Sequence, residues 1–203
     1  MTQLDISYPE DLCIPIDPTS GDPELWAAAV ADGFGEATGL DPDGVSRVRA
    51  ALTGLVRLTD PSSRLLLVVA PEATFLAPLR ITVSDNALSR DEQAAYLGST
   101  DAILPPTAEL LETPELGAGI TVALLQKQGD IQFATRRWLF PGENGAVGAL
   151  LGPVQPYGLA VVQPTADAVI EQLHVDGFIP ATDRTDLERW EAAAGRSGES
   201  WTA

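Results

Sequence analysis

The chain has 203 residues, of which 45% are hydrophobic and 20% are charged, a composition typical of globular proteins and not of a chain disordered throughout. It carries 29 acidic and 12 basic residues, a net charge of −17, so nucleic acid and anionic membrane surfaces are poor partners. Residues 1–60 are the most negative part, with 11 acidic residues and three arginines, a net charge of −8.

The N-terminal section predicts two helices after an extended start. The runs ISY and LCIPI favour short edge strands. Asp22 is a typical N-cap and Pro23 occupies the favoured first helical position, which predicts a helix over 23–37. Apolar residues at helical spacing after the turn LDPDG predict a second helix over 43–58.

The middle of the chain predicts a sheet. SRLLLVVAP is a continuous apolar run typical of a strand buried on both faces, and PLRITVSD is a shorter alternating strand. Ser89 and Glu92 match the capping box of a helix over 90–97. Five strand-like runs follow between Thr107 and Val162: TAELLET, GITVALLQ, IQFATRRWLF, GAVGALLG and YGLAVV.

A helix over 165–174 is predicted after Pro164, and another from Arg184 to about Ala194, followed by a frayed tail. GITVALLQ and GAVGALLG are apolar on both faces, so helices must cover both sides of the sheet. This predicts a single α+β domain, a three-layer α-β-α sandwich with a central, largely antiparallel sheet.

Three sections make up this domain: an acidic helical section at 1–60, a sheet core at 61–180 and a C-terminal helix and tail at 181–203. We predict helices 23–37 and 43–58 on one face of the sheet, with helices 90–97 and 165–174 on the other. In such an arrangement Leu124→Asp or Leu125→Asp should unfold the protein, because either side chain would place a carboxylate in a buried layer.

The order of elements from Leu79 to Val175 resembles the PsbP-like α-β-α sandwich superfamily, which includes PsbP, the Ran-binding Mog protein, LpqN, DcrB and the Eag chaperones. The matching segments are LRITVS, SRDEQAAYL, TAELLETPELGAGITVALLQ, IQFATRRWLF, AVGALLG and YGLAVVQPTADAVIEQL. The resemblance implies a binding surface and no shared catalytic residues. It departs from the superfamily before Leu65, where the acidic helical section has no counterpart, and the lipobox of the lipoproteins is missing.

Few residues are suited to catalysis or metal binding. His174 is the only histidine and Cys13 the only cysteine, so a two-histidine metal site and an internal disulfide are impossible. We expect His174 to be a structural residue at the end of the 165–174 helix, and Cys13 to be a small apolar residue. The run from Asp41 fails as a calcium loop, because Val45 and Leu52 stand at its fifth and twelfth positions. The sequence therefore predicts no cofactor and no metal.

The candidate partner-binding residues are arginines and aromatics in or near the last strands. Arg136 and Arg137 are adjacent in a strand, so they should point to opposite faces, and one of them could pair with an acidic residue of the N-terminal helices. A structural ion pair and an anion-binding role both remain open for them. Large aromatics are favoured at protein interfaces and are also ordinary core residues: Trp138, Phe140, Tyr157, Trp190 and Trp201.

Three functions remain open from the sequence. The first is a non-catalytic cytoplasmic module that binds another protein, one that could be basic, as an adaptor or chaperone of a secretion or envelope system. The second is a module that binds a small molecule or lipid between sheet and helices. The third is a hydrolase that uses a pair of carboxylates. The N-terminus lacks a signal-peptide pattern and no stretch predicts a membrane span, so we expect a cytoplasmic location without membrane insertion.

Overall fold

The computed structural model describes residues 4–16, 22–60 and 62–199. Its helices are α1 (Pro23–Thr38), α2 (Pro42–Val56), α3 (Arg90–Leu97), α4 (Pro156–Glu171) and α5 (Thr185–Glu199). Its strands are β1 (Leu4–Asp5), β2 (Cys13–Pro15), β3 (Ser63–Val69), β4 (Leu76–Ser84), β5 (Thr107–Thr113), β6 (Gly117–Gln128), β7 (Ile131–Pro141), β8 (Ala146–Val154) and β9 (His174–Val175).

The predicted helix caps are confirmed. The Asp22 carboxylate accepts hydrogen bonds from the backbone N–H groups of Glu24 and Leu25 at 2.9 and 3.4 Å. Ser89 and Glu92 form the full capping box, in which each side chain accepts from the other residue's backbone N–H. These bonds satisfy N–H groups that a helix start leaves without intrahelical partners. They explain why α1 and α3 begin where the sequence predicts.

The protein is mixed α/β, with a mostly antiparallel sheet. Seven strands lie in the order β2-β3-β4-β8-β7-β6-β5, and each neighbouring pair is antiparallel. Strands β1 and β9 form a separate two-stranded sheet. The strands predicted within 63–152 therefore all belong to this sheet, and β2 and β5 form its edges.

The two faces of the sheet carry different cores. Helix α4 packs on one face against alternate residues of the central strands, including Leu79, Trp138 and Leu151. Helices α1 and α2 pack on the opposite face, against the alternate residues of β3 that point that way, including Leu67. Helix α3 packs with residues of β6 and β7 such as Leu124, together with α5. Placing helix 90–97 on the same face as helix 165–174 was therefore wrong, because α3 covers the face opposite α4.

The fifth predicted strand is also wrong, because YGLAVV is the first part of α4. Buried residues continue at helical spacing through the segment: Leu159, Val162, Ala166, Val169 and Ile170. Pro164 lies inside the helix, and both it and Ala160, whose hydrogen bond it removes, are exposed. The freed carbonyl of Ala160 therefore lies on the exposed side of α4, where the helix tolerates the proline.

The C-terminal helix is longer than predicted. The Asp183 carboxylate accepts a hydrogen bond from the backbone N–H of Thr185, the first residue of α5, at 2.9 Å. Helix α5 continues to Glu199, past the predicted end near Ala194, and Trp201 lies outside the described residues. Among the helices of the described residues, none is both long and apolar enough to cross a membrane.

Candidate functional site

An open groove of about 580 Å³ lies between α1 and the segment that leads into β2. We call it the α1 groove. One wall comes from the N-terminal segment and the other from α1: Tyr8, Glu10, Asp11, Cys13, Ile14, Pro15, Ala29, Val30, Gly33, Phe34, Ala37 and Thr38. Its volume falls in the range of ligand-binding clefts, and its walls are mainly apolar.

Small side chains on α1 create the space. Ala29, Gly33 and Ala37 are exposed and recur every four residues, so they lie along one side of the helix. On the buried side, Ala27 and Ala31 are fully inaccessible and pack into the core that α1 shares with α2 and β3. One side of α1 therefore packs into the core. The small side chains on its other side leave an open channel between α1 and β2.

The edge strand beside this groove presents no free backbone N–H to an added strand. Strand β2 is an edge of the sheet, and such edges invite pairing with another chain. The Cys13 N–H already donates to the Pro9 carbonyl at 2.9 Å, and Pro15 has no N–H to donate. The N–H of Ile16 donates to Leu65 of β3, and by the alternation of an antiparallel pair that of Ile14 faces β3 too. Strand β2 therefore has no free N–H for a partner strand, which disfavours recognition by strand pairing.

The charge at the α1 groove is negative. Glu10 and Asp11 are the charged residues among those that line it, and both are exposed. Helix α1 adds Glu24, Asp32 and Glu36 and contains no basic residue; Asp32 is paired with Arg49 of α2 at 2.6 Å. The groove thus combines an apolar floor with an acidic rim.

The Cys13 thiol at this groove is not a reactive group. Its side chain is almost completely buried, and burial, assisted by the charge of Asp11, raises the pKa of the Cys13 thiol to about 12. A thiol that stays protonated is a poor nucleophile and a poor metal ligand. Its position is that of an apolar core residue, as its place in the run LCIPI predicts.

The residues predicted from the aromatic and arginine pattern are elsewhere in the fold. Trp138 and Phe140 are 0% and 1% exposed, a burial that leaves no surface for contact with a partner. Arg136 lies over the Trp138 ring at 5.5 Å from its centroid and pairs with Glu109 of β5 at 3.5 Å and Asp167 of α4 at 3.7 Å. The suggested pairing with an acidic residue of the N-terminal helices was therefore wrong.

Arg137 points to the opposite face from Arg136, as its position in the strand requires. Its guanidinium donates to the carbonyls of Tyr96 and Gly98 at 2.5 and 2.6 Å. These carbonyls lie at the C-terminal end of α3, where a cation also complements the helix dipole. Burial lowers the pKa of Arg137. Arg137 therefore links α3 to β7 through hydrogen bonds to carbonyls, a structural role that differs from the ion pair suggested from the sequence.

The remaining aromatics divide between core and surface. Trp190 of α5 is partly buried against the core under α3 and α5. Tyr157 is 76% exposed and touches Phe75 in an edge-on contact with centroids 5.8 Å apart. Of the aromatic residues predicted to bind a partner, Tyr157 has the accessibility that such a role needs.

His174 does not end a helix but lies in β9, where it pairs with Asp5 of β1. Its Nδ1 lies 2.9 Å from a carboxylate oxygen of Glu115, and its Nε2 lies 3.1 Å from one of Asp176. Hydrogen bonds with Glu115, then with Asp176, raise the pKa of His174. Because both ring nitrogens face carboxylates, the histidine joins the β5–β6 turn to β9, and neither nitrogen is paired with a hydroxyl or a thiol as that of a catalytic base would be.

We predict that His174 makes stability depend on pH. A group whose folded pKa is raised contributes stability that is complete below its unfolded pKa, about 6.5, and is lost as pH rises through the folded pKa. His174→Gln should remove this part of the pH dependence and leave the rest of the curve unchanged. Melting temperatures of both proteins across this pH range test it; parallel curves would contradict the prediction.

No family model, curated protein or solved structure compared with this chain matches it.

Within the described residues, no group of three or more histidine, cysteine, aspartate or glutamate side chains is arranged to hold a metal ion. Glu109 and Asp167 come together around one guanidinium, which is the geometry of an ion-paired cluster. The α1 groove is therefore a better candidate for a functional site than the two carboxylates that pair with Arg136.

Proposed function

We propose that this protein is a non-catalytic binding module whose α1 groove accepts a basic amphipathic helix of another protein. One observation carries the proposal: the groove has an apolar floor, and both charged residues that line it are acidic. An amphipathic helix satisfies its own backbone hydrogen bonds and presents an apolar face to such a groove. This suits a site beside β2, whose edge offers no N–H for strand pairing.

Electrostatics favours a basic partner over an acidic one. The net charge of −17 attracts a cationic segment from a distance and speeds its association. Lysine or arginine side chains beside the apolar face would lie near Glu10 and Asp11, which are exposed. Binding should therefore weaken as salt shortens the Debye length below about 10 Å.

The wider context is also a proposal. We infer that the helices on the two faces of the sheet form the outer layers of an α-β-α sandwich, as in the PsbP-like superfamily that the sequence resembles. That resemblance supports a role as an adaptor or chaperone of a secretion or envelope system, in the cytoplasm. In this reading the acidic section 1–60 supplies the specificity, and the rest of the sheet is scaffold.

The test is titration with two model peptides, one of leucine and lysine at helical spacing and one in which glutamate replaces lysine. The wild-type protein should bind the lysine peptide, more weakly at high salt, and not the glutamate peptide. The double variant Glu10→Gln/Asp11→Asn should bind several-fold more weakly. Gly33→Leu should also weaken binding, because a side chain there enters the groove and meets no atom within 4 Å at its Cβ.

The matched control is Glu143→Gln/Glu171→Gln, which removes the same charge from two exposed positions outside the groove. It should bind the lysine peptide like the wild type. Equal loss in both double variants would show attraction to net charge alone. That result, or binding that Gly33→Leu leaves unchanged, would remove the α1 groove as the site.

A further inference from the structure

A second groove, of about 360 Å³, lies between α2 and strands β3 and β4. We call it the α2 groove. Its α2 side includes Ala50, Gly54, Leu55 and Leu58, and its β4 side has Leu76 and Pro78. None of the nine residues that line it has a polar side chain, although Leu58 is 56% exposed. An accessible groove whose side chains are all apolar is suited to an apolar ligand.

A basic group lies next to this groove. Arg80 follows Pro78 on the same face of β4, and its guanidinium donates to the Leu58 carbonyl at 3.1 Å. That bond uses one of the five N–H donors of the side chain. Among the described residues, Arg80 has no carboxylate within 4.0 Å. The positive charge of Arg80 helps to lower the pKa of Asp60, but the hydrogen bonds of the Asp60 carboxylate come from Ser62.

We propose that the α2 groove binds a fatty carboxylate of about ten carbons, with its hydrocarbon chain along α2 and its carboxylate on Arg80. An extended peptide would place many backbone N–H and C=O groups against apolar side chains that cannot bond them, which is costly. A hydrocarbon chain has no such groups. The free carboxylate is the matching charge for Arg80, and a guanidinium can bind it through two N–H groups. This proposal uses a different groove from the proposed function and does not depend on it.

Isothermal titration with decanoate below its critical micelle concentration, compared with decanol, tests the proposal. The wild-type protein should bind decanoate more tightly than decanol, even though the protein's net charge repels an anion. Shortening the hydrocarbon chain of decanoate by one methylene should weaken binding about fourfold. Without decanoate binding, or with decanol bound equally well, the proposal fails.

Two groups of variants locate the ligand. Gly54→Leu fills the groove and should weaken decanoate binding at least about tenfold; a Cβ at Gly54 meets no atom within 4 Å, and leucine is the better helix former. Ala50→Leu, one turn earlier, should act in the same way. Arg80→Gln should lower decanoate affinity about tenfold, to that of decanol, and Arg80→Lys should restore part of it.

The two grooves control for each other. Gly33→Leu should leave decanoate binding unchanged, and Gly54→Leu should leave binding of the lysine peptide unchanged, so either proposal can fail alone. Decanoate bound equally well by Gly54→Leu would overturn the site. A dimer in sedimentation velocity that Gly54→Leu converts to monomer would assign the groove to a second copy of the chain and would also overturn the proposal.

Discussion

Leu124→Asp should abolish the folded state. Leu124 lies in β6, is 2% exposed and belongs to the core under α3 and α5. The substitution removes a buried leucine and places a carboxylate among apolar side chains, which should cost at least about 4 kcal/mol of unfolding free energy. That is a large part of the total for an ordinary domain. Thermal unfolding followed by circular dichroism measures it.

Leu125→Asp is the matched comparison, because it introduces the same carboxylate one residue away on the opposite face. Leu125 is partly buried at the margin of the core under α4, so a carboxylate there can reach water. Its cost should be clearly smaller, although the sequence predicted unfolding for both. A Leu124→Asp protein that unfolds cooperatively at the wild-type melting temperature would show that the face under α3 and α5 is open.

Local signals in the sequence placed most elements correctly. The caps at Asp22 and Ser89 depend on side chains within three residues of the N–H groups they bind, so the sequence contains the whole interaction. YGLAVV was different, because a short apolar run fits a strand or a buried helix equally well. The deciding factor was tertiary, since the residues at helical spacing continue past Pro164 and pack on the sheet.

The candidate site could be predicted only in part. The negative charge of residues 1–60 distinguishes this section in the sequence, but charge alone does not locate a groove. The groove itself needs the segment around Glu10 to pass beside Gly33 and Ala37 of α1, and nothing in a local pattern sets that approach. Small residues on α1 were a usable signal, because exposed alanine and glycine at every fourth position leave a channel.

The arginines were harder to interpret, because in this protein several of them bind carbonyls instead of carboxylates. Arg47 donates to the carbonyls of Glu72 and Ala73, both at 3.1 Å, and Arg137 donates to two carbonyls at the C-terminal end of α3. Such bonds join segments far apart in sequence. Because every residue has a backbone carbonyl, the sequence does not indicate which one an arginine will bind.

Trp138→Ala should strongly destabilise the protein, while Tyr157→Ala should hardly change its stability. Both aromatics were predicted as partner contacts, but Trp138 is 0% and Tyr157 76% exposed. Truncating a fully buried tryptophan costs about 3–5 kcal/mol, and here it also removes the ring beneath the Arg136 guanidinium. Truncating Tyr157 loses mainly its edge contact with Phe75 and should cost less than about 1 kcal/mol.

Urea unfolding of the two variants and the wild type measures both free energies. If Tyr157 contacts a partner, Tyr157→Ala should weaken that binding without loss of stability, whereas any effect of Trp138→Ala on binding should follow the fraction of folded protein. Tyr157→Phe is the control, since it keeps the ring and its contact with Phe75. Wild-type stability of Trp138→Ala would show that the indole is not a core residue. A large loss in Tyr157→Ala would show that this tyrosine is structural despite its exposure.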